Sequence, residues 1–288
     1  MVRFALMLAA LLIAAPAAAQ SLQAQYEAFL EGTIWPEAEL AGVSRANFDK
    51  AMGAKRLNTD IPGLVAPGTS EPPRQMRQAE FSAPAKYFNE RNLGYVTATG
   101  RSLARQHAST LAAVEKAYGV PGRIIVAIWG RESGFGRVKI PHDAFQVLGT
   151  KAFMSTRPDL FRRELINALV IVQLGRASPS EMRSSWAGAL GQPQFLPSSY
   201  LQYAVDFDRN GHPDIWNSVP DTLASIGAYL QRSGWVTGRD WGFEVTVPAS
   251  VSCALEGPDR GKRISDWEKL GIKRVSGKPF PEHEARSE

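Results

Sequence analysis

Residues 118–136 read YGVPGRIIVAIWGRESGFG, and this stretch predicts a helix with two defined ends. Gly119 ends the preceding helix and Pro121 starts the next one, because glycine is frequent just past helix ends and proline is tolerated in a first turn. Gly134 and Gly136 mark the opposite end. The apolar residues between these ends recur at helical spacing. The stretch therefore predicts one amphipathic helix packed into a helical domain.

One acidic residue on this helix, Glu132, is a candidate for chemistry. It follows Ile128 by four positions and Trp129 by three, which predicts that its carboxyl group lies against the core. Desolvation and the negative end of the helix dipole both raise the pKa of such a group. A carboxylic acid that stays protonated near neutral pH can protonate a glycosidic oxygen. The alternative is a structural glutamate paired with Arg131 or Arg137.

A second informative stretch, residues 184–200, reads SSWAGALGQPQFLPSSY. The small residues that follow Trp186 allow another backbone or a sugar ring to come close. Amide and aromatic side chains, such as Gln194 and Phe195, are interleaved with them. This mixture suits a polyhydroxylated ligand, which presents both apolar ring faces and hydrogen-bonding edges. The alternative is a tightly packed junction between helices.

A third stretch, residues 206–214, reads DFDRNGHPD and resembles the start of a calcium-binding loop. Oxygen-bearing side chains occupy its first, third and fifth positions, and Gly211 occupies the sixth. Position twelve is Asn217 instead of the usual glutamate, so a later acid is needed to close the site. The candidate ligands are Asp206, Asp208, Asn210, His212 and Asp221. Asp221 is also predicted as the N-cap of the next helix, and the alternative for the whole loop is an Asx-rich turn without a metal.

The composition indicates a globular protein without a transition-metal centre. The chain has 288 residues, of which 44% are hydrophobic and 21% charged. The single cysteine, Cys253, excludes an intrachain disulfide and a zinc cluster of cysteine ligands, and the four histidines lack ligand-like spacing. The net charge of +5 is dispersed along the chain. A basic surface of this kind is attracted to an anionic polymer such as cell wall, and no basic block indicates nucleic acid as a partner.

The first residues predict export. A positive start at Arg3 is followed by a short apolar run and small residues, which is the pattern of a signal peptide over residues 1–19, cut after Ala19. The alternative is an uncleaved membrane anchor, although the apolar run is short for one. Since no cysteine lies near the cleavage point, lipid attachment there is not expected. The mature chain, residues 20–288, is predicted to act in the periplasm.

The remaining patterns predict a mainly α protein of the α+β class. Ser44 is a plausible N-cap for the second helix of a helical segment over residues 21–52. Five prolines between Asn58 and Pro84 predict an extended loop. Only residues 243–251 alternate like a strand. Further helices are predicted at about residues 86–118, 162–174 and 221–232.

Together these stretches, with YLQRSGW at residues 229–235, resemble the lytic murein transglycosylase B family, glycoside hydrolase family 103. The resemblance runs from about Tyr26 to near the end of the chain. It implies a lysozyme-like helical catalytic core with a small β element near the C-terminus. It also implies that no cofactor is required for the chemistry and that a structural Ca²⁺ ion occupies the loop that starts at Asp206.

The family resemblance implies a reaction and its residues. Family members cleave the bond between N-acetylmuramic acid and N-acetylglucosamine in peptidoglycan and leave a 1,6-anhydromuramoyl end. Glu132 matches the family's catalytic glutamate, which acts first as acid and then as base, so no second carboxylate is needed, unlike in most glycosidases. The candidate substrate-binding residues are Ser185, Gln194, Arg157, Tyr229 and Phe195. A second arginine usual beside Arg157 is replaced here by Thr156, which leaves contacts to the peptide stems open.

The expected partners are peptidoglycan glycan strands and wall-synthesis proteins, and the chain is expected to be a monomer. Family members usually continue into a further C-terminal segment that contributes to the cleft, whereas this sequence stops at Glu288. Two alternatives to an active transglycosylase therefore stay open. One is a catalytically impaired peptidoglycan-binding or scaffold protein, and the other is a lysozyme-type hydrolase.

Overall fold

The computed structural model describes residues 21–53, 55–65, 67 and 89–281. The predicted signal peptide and most of the proline-rich stretch lie outside these residues. The chain divides into two compact units, with the boundary between Trp235 and Val236. Within the described residues, no helix is both long and apolar enough to cross a membrane.

The described part of the first unit is built mainly from helices. In chain order they are α1 (Leu22–Phe29), α2 (Trp35–Leu40), α3 (Arg45–Met52), α4 (Glu90–Gln106), α5 (Ala108–Tyr118), α6 (Gly122–Ser133), α7 (Ala144–Met154), α8 (Pro158–Gln173), α9 (Pro197–Tyr203) and α10 (Val219–Arg232). A π-helical turn, Leu30–Ile34, joins α1 to α2. The prediction of a mainly helical protein is confirmed.

Several predicted helix ends are present in the structure. The Ser44 hydroxyl accepts a hydrogen bond from the Asn47 N–H at 3.3 Å, as an N-cap residue does. Gly119 ends α5 and Gly134 ends α6, both in the left-handed conformation. The helix predicted from residue 162 begins earlier, at Pro158, because proline fits the first turn of a helix.

Two hydrophobic clusters form the core of the first unit. One surrounds α7 and α8 and contains fully buried residues such as Tyr26, Phe145 and Leu165. The other lies among α5, α6 and α10, where Ile125 and Leu223 are fully buried. Burial of each large side chain contributes about 1.5–3 kcal/mol. Since α4 and α10 both pack on α6, the second cluster fixes the helix that carries Glu132.

A small β-ladder in the first unit positions the loop that follows Arg183. Strand β1 (His142–Asp143) pairs antiparallel with β2 (Arg183–Ser184). Isolated bridges from Ser184 to Leu190 and from Leu190 to Phe195 continue the pairing into the loop. Two-residue strands carry too little alternation to be recognised in a sequence, so this ladder was not predicted.

The second unit contains a two-stranded sheet and little regular structure. Strand β3 (Val245–Thr246) pairs antiparallel with β4 (Lys273–Arg274), and α11 (Ile264–Lys269) lies between them in sequence. Two 3₁₀ turns, Cys253–Leu255 and Pro258–Arg260, precede α11. The strand predicted over residues 243–251 is therefore shorter than expected. Pro248 has no N–H to donate and the partner strand is only two residues long, so the ladder cannot extend.

Candidate active site

Glu132 lies in the last turn of α6, just before the left-handed Gly134. The prediction that its carboxyl group packs against the core is wrong, because Glu132 is exposed. The buried side of α6 consists of Ile125, Val126, Trp129, Gly130 and Ser133. With 3.6 residues per turn, Glu132 is roughly a quarter of a turn from the centre of that side. The residue therefore lies on the flank of the helix, between core and solvent.

The surroundings of Glu132 favour the protonated form. Partial desolvation of its carboxyl group raises the pKa, and the nearby Arg131 guanidinium acts in the opposite direction. Within the described residues, no hydrogen bond or ion pair involves this carboxyl group. Arg137 instead donates a hydrogen bond to the Tyr95 hydroxyl at 2.9 Å. The raised pKa was predicted, and it arises on a helix flank instead of in the core.

The end of α6 is held by close aromatic packing. Phe135 has a positive φ of 62°, and its ring meets Trp129 edge to face at 5.4 Å. A Cβ atom at Gly130 would lie 2.6 Å from the Phe135 ring. A Cβ atom at Gly136, whose φ is 75°, would lie 2.4 Å from the Gln192 side-chain oxygen. Glycine is required at both positions for the turn after Glu132 to close against its neighbours.

Gln192 joins this helix to the loop at residues 184–195. Its side-chain oxygen accepts a hydrogen bond from the indole N–H of Trp129 at 2.7 Å, and its amide N–H donates to the Trp216 carbonyl at 2.9 Å. Its backbone N–H donates to the Ile215 carbonyl at 2.8 Å. The sequence placed Gln192 only among the amides that suit a ligand. No sequence pattern indicates that an amide side chain is buried between two segments of the chain.

The predicted binding residues Ser185 and Gln194 both close the same loop. The Ser185 hydroxyl oxygen accepts hydrogen bonds from the backbone N–H groups of Ala187 at 3.3 Å and Ala189 at 3.2 Å. Its own proton is left to donate elsewhere, since a hydroxyl has one donor and two acceptor sites. Gln194 has a φ of 55° and donates to the Gly191 carbonyl at 2.8 Å. Both side chains are half-buried at a loop tied to the end of α6.

Phe195 and Tyr229, two further predicted binding residues, are in direct contact. Their ring centroids are 5.6 Å apart, and Tyr203 joins them with its ring 5.0 Å from that of Tyr229. Phe195 is buried, whereas Tyr229 is 39% exposed. Tyr229 is therefore the ring with a face open to a ligand, and Phe195 supports it from behind. Tyr203 was missed by sequence reasoning, although it lies on the helix that follows this loop.

Arg157 lies apart from these residues, at the N-terminal cap position of α8. Its side chain is exposed, and its backbone N–H donates to the Ser155 hydroxyl at 3.2 Å. The charge of Arg157 acts on Lys151, whose pKa it helps to lower. Among the described residues, no hydrogen bond or ion pair joins Arg157 to the other candidate binding residues.

The predicted calcium loop brings three carboxylates together. Asp206, Asp208 and Asp221 each offer an oxygen within 4.8 Å of the others. Asp221 is fully buried, and this burial raises its pKa although three backbone N–H groups donate to it. A cation would compensate this buried charge, and oxygen ligands are those that calcium prefers. The residues present therefore fit a calcium ion.

Other details of this loop differ from the sequence prediction. Ser218, and not Asp221, caps α10, since its hydroxyl accepts from the Asp221 N–H at 3.3 Å. The Asn210 side-chain oxygen accepts from the His212 N–H at 3.2 Å, and the His212 imidazole is not part of the carboxylate group found among the described residues. Asx-type hydrogen bonds are also present, because the Asp208 carboxylate accepts from the backbone N–H of Asn210 at 3.2 Å.

Comparison with known proteins identifies the family. The chain matches the Transglycosylase SLT domain family over residues 25–288. The chain belongs to this family. As a member of the Transglycosylase SLT domain family, it is similar to the membrane-bound lytic murein transglycosylase B of Escherichia coli K12, with 35% identity over 189 residues. That alignment covers 64% of this chain and 51% of the relative, so the chain spans about half the length of this curated relative.

Solved structures place this Transglycosylase SLT domain in a known fold. SltB3 from Pseudomonas aeruginosa, in complex with NAG-NAM-pentapeptide, is 32% identical and superimposes with a TM-score of 0.77, covering 91% of this chain and 67% of that one. Escherichia coli Slt35 in complex with calcium is 24% identical, with a TM-score of 0.66 over 91% of this chain and 77% of that one. The second likeness concerns the fold alone. The prediction of a lysozyme-like helical core is confirmed.

Proposed function

We propose that the chain is a lytic murein transglycosylase that cleaves the bond between N-acetylmuramic acid and N-acetylglucosamine and leaves a 1,6-anhydromuramoyl end. Membership of the Transglycosylase SLT domain family supports this proposal. SltB3, which is 32% identical, has been crystallised with NAG-NAM-pentapeptide and with NAG-anhNAM-pentapeptide. The first molecule is a fragment of a peptidoglycan strand, and the second carries the anhydro end that the proposed reaction leaves.

The observation that carries the proposal is the environment of Glu132. Its pKa is raised by desolvation, and it lies at a helix end fixed by the contacts of Trp129 with Phe135 and Gln192. A proton donor with a raised pKa and a fixed position is what protonation of a leaving oxygen requires. The adjoining loop supplies the hydroxyl of Ser185. The partly exposed ring of Tyr229 packs against Phe195 of the same loop.

The proposed reaction returns Glu132 to its starting state. Glu132 gives its proton to the oxygen that leaves with N-acetylglucosamine, while the bond from that oxygen to C1 of N-acetylmuramic acid breaks. The N-acetyl group of the sugar stabilises the intermediate at C1. The Glu132 carboxylate then removes the proton from the C6 hydroxyl as O6 bonds to C1. No water is consumed, and one carboxyl group serves both steps.

Product analysis tests this function. The mature chain is incubated with purified peptidoglycan, and the released fragments are analysed by mass spectrometry. Anhydro ends, each lighter by one water than a reducing end, are the expected result. Reducing ends would instead indicate a lysozyme-type hydrolase. Binding to insoluble wall without release would indicate a catalytically impaired wall-binding or scaffold protein.

The role of Glu132 is tested by Glu132→Gln, which keeps the size of the side chain and removes its acid. We expect turnover to be lost, by about 10²-fold or more, with the thermal midpoint within a few degrees of the parent. Glu39→Gln is the matched control, since Glu39 is an exposed glutamate on α2. If turnover persisted in Glu132→Gln, or if this variant failed to fold, the catalytic assignment would be wrong.

We further propose that Asp206, Asp208 and Asp221 hold a structural calcium ion, with Asn210 and the backbone at His212 as further candidates. The close approach of three carboxylates and the burial of Asp221 support this site. Calcium should raise the thermal midpoint and a chelator should lower it, by mass action on the folded state. Mg²⁺ at the same concentration is the control, and no shift with either treatment would exclude the ion.

We also propose that the chain is exported to the periplasm through residues 1–19 and acts there as a monomer on peptidoglycan strands. N-terminal sequencing of the protein recovered from the periplasmic fraction should begin at Gln20. Sedimentation equilibrium should give the mass of one chain. Wall-synthesis proteins as partners stay a prediction.

A further inference from the structure

Lys151 is a buried lysine beneath the loop at residues 184–195. It lies on α7 and is 3% exposed. Its ammonium group donates a hydrogen bond to the Pro62 carbonyl at 2.9 Å and lies 5.1 Å from the ring centres of both Phe161 and Trp186. Within the part of the chain that the structure describes, no carboxylate pairs with it. Its positive charge is stabilised by two aromatic rings and one carbonyl group.

This arrangement is costly for stability. Burial and, to a smaller extent, the charge of Arg157 together lower the pKa of Lys151 to about 8. The folded state therefore disfavours the charged form relative to the unfolded chain. A methionine has a similar length and no charge, and replacing a buried charge by an apolar residue is often neutral or stabilising. The need for a stable core does not explain a lysine at this position.

The contacts of Lys151 join three segments around Trp186. Pro62 belongs to the segment 57–65, which is also bound to α7 by a hydrogen bond from the Asn58 N–H to the Thr150 hydroxyl at 3.1 Å. Phe161 belongs to α8. Trp186 directly follows Ser185, and its ring is only half-buried. The ammonium thus fixes the ring while part of it remains open to solvent.

We propose that Lys151 is a positioning residue for glycan binding, which holds the turn at Ser185 in its receptive geometry through the Trp186 ring. This inference rests on the proposed function, because it requires the loop to contact the glycan. A cation on an aromatic face is a directional contact that a neutral side chain cannot replace. Burying the charge lowers the stability of the fold, but it holds the substrate-binding turn in one defined position.

The charge environment gives this role a pH dependence. Arg157 is the charged group that acts on the ammonium from the start of α8. Farther along α8, Arg162 pairs with Glu37, and Glu164 accepts hydrogen bonds from Ser198. In the segment 57–65 the one ionisable side chain is the exposed Asp60, and the turn at residues 185–191 has none.

As the pH rises through about 8, Lys151 loses its charge. Its hold on Trp186 then weakens, and glycan binding should weaken with it.

The test measures binding without turnover, in a Glu132→Gln parent. Lys151→Met and the control Lys116→Met, which changes an exposed lysine on α5, are compared for affinity to insoluble peptidoglycan at pH 7. We expect Lys151→Met to bind about fivefold more weakly or worse, while its thermal midpoint is equal to or above that of the parent. We also expect the parent's loss of affinity between pH 7 and 9 to be absent in Lys151→Met. The control should behave like the parent.

A spectroscopic readout reports on the contact itself. The tryptophan emission of the parent, minus that of Trp186→Phe, should titrate near pH 8, and Lys151→Met should abolish this titration. Equal affinity and an unchanged pH profile in Lys151→Met would overturn the proposal. A fall in thermal midpoint that accounts for the lost affinity would overturn it as well, since Lys151 would then be merely structural. If the parent itself did not bind peptidoglycan, the proposed function would fall together with this inference.

Discussion

Replacing Gln192 by leucine tests the connection between the end of α6 and the loop that follows Arg183. Gln192 is 7% exposed, and its amide satisfies the indole N–H of Trp129 and the carbonyl of Trp216. Leucine has a similar volume but no polar group. The buried indole N–H then lacks an acceptor, which costs about 1–3 kcal/mol, and the half-buried carbonyl, which water can reach, costs about 1 kcal/mol. We expect the free energy of unfolding to fall by about 2–4 kcal/mol.

Urea unfolding, followed by tryptophan fluorescence, measures this change. Gln202→Leu is the matched control, since Gln202 is exposed and its variant should stay within about 0.5 kcal/mol of the parent. Turnover should also fall in Gln192→Leu under conditions where the variant is fully folded, because Trp129 precedes Glu132 by less than one turn. A change in unfolding free energy below about 0.5 kcal/mol, or normal turnover, would refute the view that Gln192 fixes this helix end.

Three further outcomes follow from the site. Gly188→Ala should lower the free energy of unfolding by about 2 kcal/mol, measured by urea titration, because its φ is 86° and its Cβ would lie 2.5 Å from the Leu148 side chain. In a pH profile, kcat/KM should fall as the pH rises through the raised pKa of Glu132, since the protonated acid is needed. If kcat/KM already fell as the pH rose through the pKa of an ordinary glutamate, this prediction would be contradicted. Phe195→Leu, which removes the ring behind Tyr229, should raise KM about threefold to tenfold with kcat less affected.

Local patterns were enough to predict most of the helices and the raised pKa of Glu132, whereas α7 and α9 were not predicted. Helix ends such as Ser44 and Gly119 depend on a cap residue and its near neighbours, so their signals are contained in a few positions. The raised pKa of Glu132 followed from its spacing after Trp129 and from the helix end. The spacing did not predict that Glu132 lies on the flank of α6 instead of in the core, because this depends on which neighbouring helices cover each side of α6.

The rest of the site depends on contacts between residues far apart in sequence. Gln192 meets Trp129 across 63 positions, and Lys151 meets Pro62 across 89. The sequence does not distinguish a polar residue buried at such a contact from the same residue type on the surface. Only the tertiary structure does. The same reason explains why Ser218 caps α10 in place of Asp221, whose carboxylate is instead engaged by distant backbone N–H groups.

These contacts connect the carboxylate loop to the acid. Asp221 accepts a hydrogen bond from the Asp214 N–H, and the Asp214 carboxylate accepts one from the Trp216 N–H. The Trp216 carbonyl receives the amide of Gln192, whose oxygen in turn receives the indole of Trp129. Each link is a directional bond of 2.9 Å or less. A cation that fixed the carboxylates would therefore also restrict the helix end that carries Glu132, because these hydrogen bonds connect the two regions.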